Sequence, residues 1–213
     1  MIIEHTIGEV VREIDIIETD VPPRIVRVDR ARVFMNSADF EGTFIVREVV
    51  YNMLVVAAAN LPPGVRFKLG ELYRPRAKQL AEWDAIYSEN ATRHPDWDGA
   101  RLERETERFI ANPHKAGSGH QTAAAVDLTL CRDDGAELDM GTAMNELSPL
   151  AETFVASVEL SAEARANRAT LYNAMVGVGF VNYPFEWWHY SYGELEWAHL
   201  SGRGKTLFAA LDL

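Results

Sequence analysis

Apolar and polar positions follow two rhythms along this chain, and the switches between them divide it into elements. Ile14-Asp15-Ile16-Ile17 and Arg24-Ile25-Val26-Arg27-Val28 are β-branched runs separated by Val21-Pro22-Pro23, which predicts two short extended segments. A turn is expected over Ala38 to Gly42. Thr43 is then a candidate N-cap for a helix running to Asn60, where Leu61-Pro62-Pro63-Gly64 stops it. Its most apolar part, Val49 to Ala59, reads as a buried helix and is too short to span a bilayer. Val65 to Leu72 alternates as a strand does, with Val65, Phe67 and Leu69 on one face.

Farther along, Pro75 opens a second helix through about Ser88, a loop covers Asn90 to Gly99, and a charged helix follows from Ala100 to Ala111. Ala123 to Leu130 has the character of a central strand. A turn at Arg132 to Gly135 leads to a short partner strand near Glu137 to Met140. Ala162 to Val178 is helical, and Trp187 to Tyr192 is an aromatic strand. Helices interspersed with short, turn-linked strands predict an α+β fold with a small, mostly antiparallel sheet. At 213 residues the chain suits one domain spanning 1–213, with no internal repeat.

Composition narrows the partners more than the fold. Thirty-two acidic residues against 21 Lys and Arg give a net charge of −11, which disfavours a nucleic-acid partner. A single cysteine, Cys131, allows no internal disulfide and reads as a small buried hydrophobe. The N-terminus, Met1-Ile2-Ile3-Glu4-His5, lacks the pattern of a secretory signal, so a cytoplasmic location is expected.

Two segments concentrate chemistry: Ser118-Gly119-His120 through Asp127, and Pro184-Phe185-Glu186-Trp187-Trp188-His189. Zinc accepts imidazole nitrogen and carboxylate oxygen, and a catalytic site uses three protein ligands with one open position. His120, Asp127 and His189 supply such a set. A seven-residue offset is not a same-face spacing on a regular strand, so His120 is expected in the loop entering the strand, or beyond a bulge. Glu186, three residues before His189, is placed to exchange a proton with an attacking water. There is no His-Glu-x-x-His, which excludes a helical zincin. A lone histidine and aspartate at this spacing would mean little, and the two tryptophans could be core alone. Together with Glu186 and His189 they form a pattern.

That pattern resembles the zinc D-Ala-D-Ala peptidases of the DD-peptidase/Hedgehog-like metallopeptidase group, and most closely their D-alanyl-D-alanine dipeptidase branch. The segments that carry the resemblance are Leu72-Tyr73-Arg74-Pro75, Val126-Asp127-Leu128-Thr129-Leu130, Asp139-Met140-Gly141-Thr142 and Tyr183 to Tyr190, in family order over about residues 65–195. Residues 1–60 carry no matching motif.

The resemblance implies that fold, one Zn2+ per chain on His120, Asp127 and His189, and Glu186 as general base. It implies Arg74 as the oxyanion-stabilising cation and Ser118 as a substrate contact. Two departures stand out. Ala123 occupies a position where the family usually has glycine. Where dipeptidases commonly have an acid for the substrate's amino group, this chain has Asn145, with Glu146 beside it.

The expected substrate is therefore D-Ala-D-Ala or a similar small dipeptide. The alternatives are a carboxypeptidase or L,D-type peptidase acting on peptidoglycan stem peptides, or a zinc-containing binding module without catalysis.

Overall fold

One buried strand organises the fold: β5 (Ala125–Arg132), whose first seven residues are all buried. In this computed structural model the described residues are 14–28, 34–35, 44–146, 148–154 and 159–213. The expected turn at Ala38–Gly42 and the expected cap Thr43 lie outside them. A two-stranded sheet pairs β1 (Ile25–Arg27) with β3 (Ile45–Arg47), antiparallel. A five-stranded sheet has the order β2 (Phe34–Met35), β4 (Val65–Leu69), β5, β7 (His189–Ser191), β6 (Val181–Asn182). Among the named strands of the described residues only the β2–β4 pairing is parallel, so the α+β, mostly antiparallel expectation holds.

The helices are α1 (Glu48–Ala59), α2 (Arg76–Arg93), α3 (Gly99–Thr106), α4 (Ala162–Val176) and α5 (Leu195–Leu200). Three depart from the sequence reading, the charged helix expected over Ala100–Ala111 ending already at Thr106. The helix expected from Thr43 begins only at Glu48, because Ile45 and Val46 are drawn into β3, where β-branched side chains pack well and pair with β1. Nor is this helix buried throughout: Val50, Leu54 and Ala57 face the core, whereas Val55 and Val56 are exposed. Helix α2 runs through Asn90 to Arg93, past the predicted loop boundary, since nothing breaks it before Pro95. The strand expected near Glu137–Met140 reduces to one bridge, Cys131 to Glu137.

Several long-range ties fix the site's frame. Arg47 is fully buried, with its guanidinium 2.6 Å from Glu18 and its Nε donating to the Thr122 carbonyl at 2.8 Å. It also donates to the Ala209 carbonyl, so one side chain joins an N-terminal segment, the C-terminal segment and the turn before β5. The Leu211 amide donates to the Gln121 carbonyl at 2.8 Å and reinforces the same turn. On the other side of the core, Arg168 of α4 donates to the carbonyls of Met140 and Glu152. Gly141 has φ +82°, and an added Cβ would lie 2.0 Å from Leu160, so this turn requires glycine. No helix among the described residues is long and apolar enough to cross a membrane.

Candidate metal centre

The register of two strands makes half of the site. Asp127 on β5 lies directly opposite His189 on β7, so the antiparallel pairing delivers a carboxylate and an imidazole to one face as cross-strand neighbours. The Asp127 carboxylate and His189 Nδ1 are 2.9 Å apart. His120 joins them from a 3-10 turn, Gly119–Thr122, just before β5, which is how the seven-residue offset is accommodated. The chain leaves this turn through Ala123 at φ +55°, a left-handed conformation that glycine adopts without strain. The Ser118 hydroxyl caps the turn by accepting from the His120 amide at 3.3 Å.

His120 Nδ1 lies 2.7 Å from the Leu72 carbonyl, which places a proton on that nitrogen and leaves the Nε2 lone pair facing inward. Nε2 is then 3.2 Å from His189 Nδ1 and 3.4 Å from the Asp127 carboxylate. All three side chains are buried, and one donor atom from each falls within 4.8 Å of the others. Two imidazole nitrogens and a carboxylate oxygen at this separation match what zinc takes in a catalytic site with an open position.

Glu186 sits at the turn before β7, its carboxylate 4.0 Å from His189 Nδ1. Asn182 holds that turn by donating to the carbonyls of Glu186 and His189 at 3.0 and 2.9 Å. Trp187 and Trp188 are both buried, and the Trp187 indole donates to Thr142 at 2.8 Å, linking the turn to the Met140-Gly141 segment. Arg74 follows β4, and its amide donates to the His120 carbonyl. Its guanidinium grips Glu71 through two nitrogens and reaches Gln79 at 2.8 Å and Glu82 at 3.2 Å. It lines the same cleft as the triad, a cavity of about 210 Å³ that Ser118, Asn145, Tyr183 and Glu186 also border.

The electrostatics favour a cation. Burial by itself would raise the Asp127 carboxyl, but the neighbouring His120 and His189 hold it well below the usual carboxylate range. Burial disfavours a charged His189, yet the Glu196 charge and the Asp127 hydrogen bond push it up to about 10. A field that favours a proton there also favours a divalent ion, which takes the proton's place. Burial raises the Glu186 carboxyl above its ordinary value and moves it toward the range of a working base. Arg74 is held more strongly protonated than usual by Glu71, against the cost of burial.

The expected residues do not all converge. Glu146 is exposed, is not among the residues lining the cleft, and turns back to accept from the Ala143 amide at 3.4 Å. Asn145 borders the cleft from an exposed turn at φ +69°. Two further neighbours complete the surroundings of the site. Glu71, which holds Arg74, stands three residues before it, a spacing that offered a signal. Glu196, whose carboxylate lies 3.7 Å from His189 Nε2, offered none, because only the chain reversal between β7 and α5 brings it there. Burial pushes the Glu196 carboxyl up to about 8.

Comparison with known proteins places the chain in a family. Residues 36–200 match the family model described as D-ala-D-ala dipeptidase. A D-alanyl-D-alanine dipeptidase of Synechocystis is 29% identical over 186 residues, covering 76% of this chain and 75% of its own. That of Enterococcus faecium is 30% identical over 155 residues, covering 70% and 71%. The Escherichia coli K12 protein of the same name is 30% identical over 127 residues, covering 60% and 55%. Among solved structures, an LD-carboxypeptidase aligns over 86% of this chain and 74% of its own at 19% identity with a TM-score of 0.46, too loose a likeness to carry detail. The chain belongs to the D-ala-D-ala dipeptidase family, a family of zinc metallopeptidases.

Proposed function

We propose that this protein hydrolyses D-Ala-D-Ala or a similar small dipeptide, with one zinc ion per chain held by His120, Asp127 and His189. The observation that carries the reading is the convergence of these three donors from a 3-10 turn and two paired strands, with the Glu186 carboxylate 4.0 Å from His189. Zinc in such a site lowers the pKa of a coordinated water and polarises the scissile carbonyl. Glu186 would take the proton of the attacking water and return it to the departing amine. Arg74, fixed by Glu71 and lining the cleft, offsets the negative charge that develops on the carbonyl oxygen. Trp188 and Tyr183 wall the cleft and limit water around the reacting groups. Ser118 borders the substrate from the lip of the turn that presents His120.

The same account treats residues 1–213 as one peptidase domain. Its support is the Glu18–Arg47–Ala209 connection, which ties both ends of the described chain to the turn that carries His120.

A second reading keeps the chemistry and changes the substrate. A neutral amide, Asn145, borders the cleft where a dipeptidase would hold an ammonium group with an acid, so a blocked or longer peptide suits this rim equally well. Zinc-loaded protein assayed on free D-Ala-D-Ala, its N-acetyl form, an L,D-dipeptide and a stem peptide separates the two. Fastest turnover of the free dipeptide is expected. Preference for the blocked or longer substrate would replace dipeptidase by carboxypeptidase, and zinc uptake without turnover of any would leave a binding module.

A further inference from the structure

We infer that Glu196 is a positioning residue that holds His189 in its metal-binding orientation. The inference rests on the metal-centre reading above. His189 presents its two ring nitrogens to different neighbours. Nδ1 faces the centre, 2.9 Å from Asp127 and 3.2 Å from His120 Nε2. Nε2 points the other way, 3.7 Å from the Glu196 carboxylate. Once Nδ1 is committed to a cation, the imidazole proton must sit on Nε2, and a buried N–H needs an acceptor. Glu196 Oε1 is such an acceptor: it is buried and, among the described residues, has no hydrogen-bond partner.

The separation exceeds hydrogen-bond length, but rotation of the glutamate side chain closes a gap of this size. The backbone beneath it is already fixed. Glu194 caps α5 by accepting from the amides of Glu196 and Trp197 at 2.8 and 2.7 Å, and Trp197 is buried. A buried carboxylate oxygen without a hydrogen-bond donor is unfavourable unless something compensates. The Nε2–H of a metal-bound His189 would supply that compensation, and among the described residues no other donor bonds Glu196 Oε1.

The role differs from that of Glu186, which approaches His189 from the Nδ1 side at 4.0 Å and is free to reach a reacting water. Glu196 also borders the cleft, so a direct contact with the substrate's ammonium group is the rival explanation for it.

The test compares wild type, Glu196→Gln and Glu196→Ala, with Co2+ as the probe. Three quantities are read: Co2+ affinity by chelator competition, the visible absorption of the bound cobalt, and the melting temperature of the metal-free protein. Glu196→Ala should bind Co2+ about 10–100-fold more weakly and shift the cobalt bands, while metal-free protein melts at the same temperature or higher. Glu196→Gln, whose amide oxygen still accepts from Nε2–H, should recover much of the affinity.

Unchanged Co2+ affinity and spectrum in Glu196→Ala would overturn the role of Glu196 alone. A rise in KM for free dipeptide with those two unchanged would overturn it in favour of the ammonium contact. A lower metal-free melting temperature with Gln no better than Ala would reduce Glu196 to a structural residue. Failure of wild type to take up Co2+ would bring down the metal centre and this role together.

Discussion

The two sides of the cleft are built differently. On one side, Asp127 and His189 sit in paired strands at the middle of the five-stranded sheet, and His120 enters from a turn tied down by Ser118, Arg47 and the C-terminal segment. All three ligands are buried. On the other side, Asn145 stands on an exposed turn, whose flanks are tied through Met140 and Glu152 to Arg168 and through Thr142 to Trp187. On the proposed reading, strand register fixes the reaction chemistry, which can change little without loss of the sheet. Substrate choice would then sit on a turn, where one side-chain change alters the charge offered to a ligand without disturbing packing.

The largest effect should come from the buried side. His189→Ala removes a ligand from the middle of the sheet, and zinc content and hydrolysis should both fall to background. Retention of stoichiometric zinc would place the metal elsewhere. Arg74→Lys comes next. A lysine keeps a charge but cannot grip Glu71 through two nitrogens, so kcat should drop by about 10²–10³-fold, the range for losing an oxyanion donor. A loss confined to KM would instead make Arg74 a ground-state contact.

Asn145→Asp probes the exposed side. A carboxylate there should raise kcat/KM for free over N-acetylated dipeptide by about tenfold or more, in line with a charged hydrogen bond. Equal effects on both substrates would remove this turn from amino-group recognition. Ala123→Gly should matter least. Relief of the left-handed strain at φ +55° is opposed by the greater freedom of glycine in the unfolded chain, so stability should change by no more than about 1 kcal/mol in a denaturant melt. A larger loss would show that the Ala123 methyl, in a buried cluster with Ile45 and Tyr73, outweighs the strain.

What could be read from sequence followed the same division. His120, Asp127, Glu186 and His189 stood out because residue type and order together are restrictive, and the strands around them have clear periodicity. The N-terminal end of α1 was misjudged because Ile45 and Val46 suit either a helix or a strand, and only pairing with Ile25–Arg27 decides between them. Glu146 stood beside Asn145 as a second candidate, yet one residue along a turn reverses a side chain's direction, and Glu146 does not line the cleft. Glu196 was invisible because its neighbour in space is His189 across a chain reversal, which no local spacing encodes.

The account's central claim is that His120, Asp127 and His189 hold the metal while Glu186 moves the proton. The most direct measurement is turnover of D-Ala-D-Ala by zinc-loaded Glu186→Ala, with zinc content determined on the same sample. One zinc per chain, with a rate lowered by about 10²–10⁴-fold, is the predicted result. Near-wild-type turnover with zinc in place would contradict it.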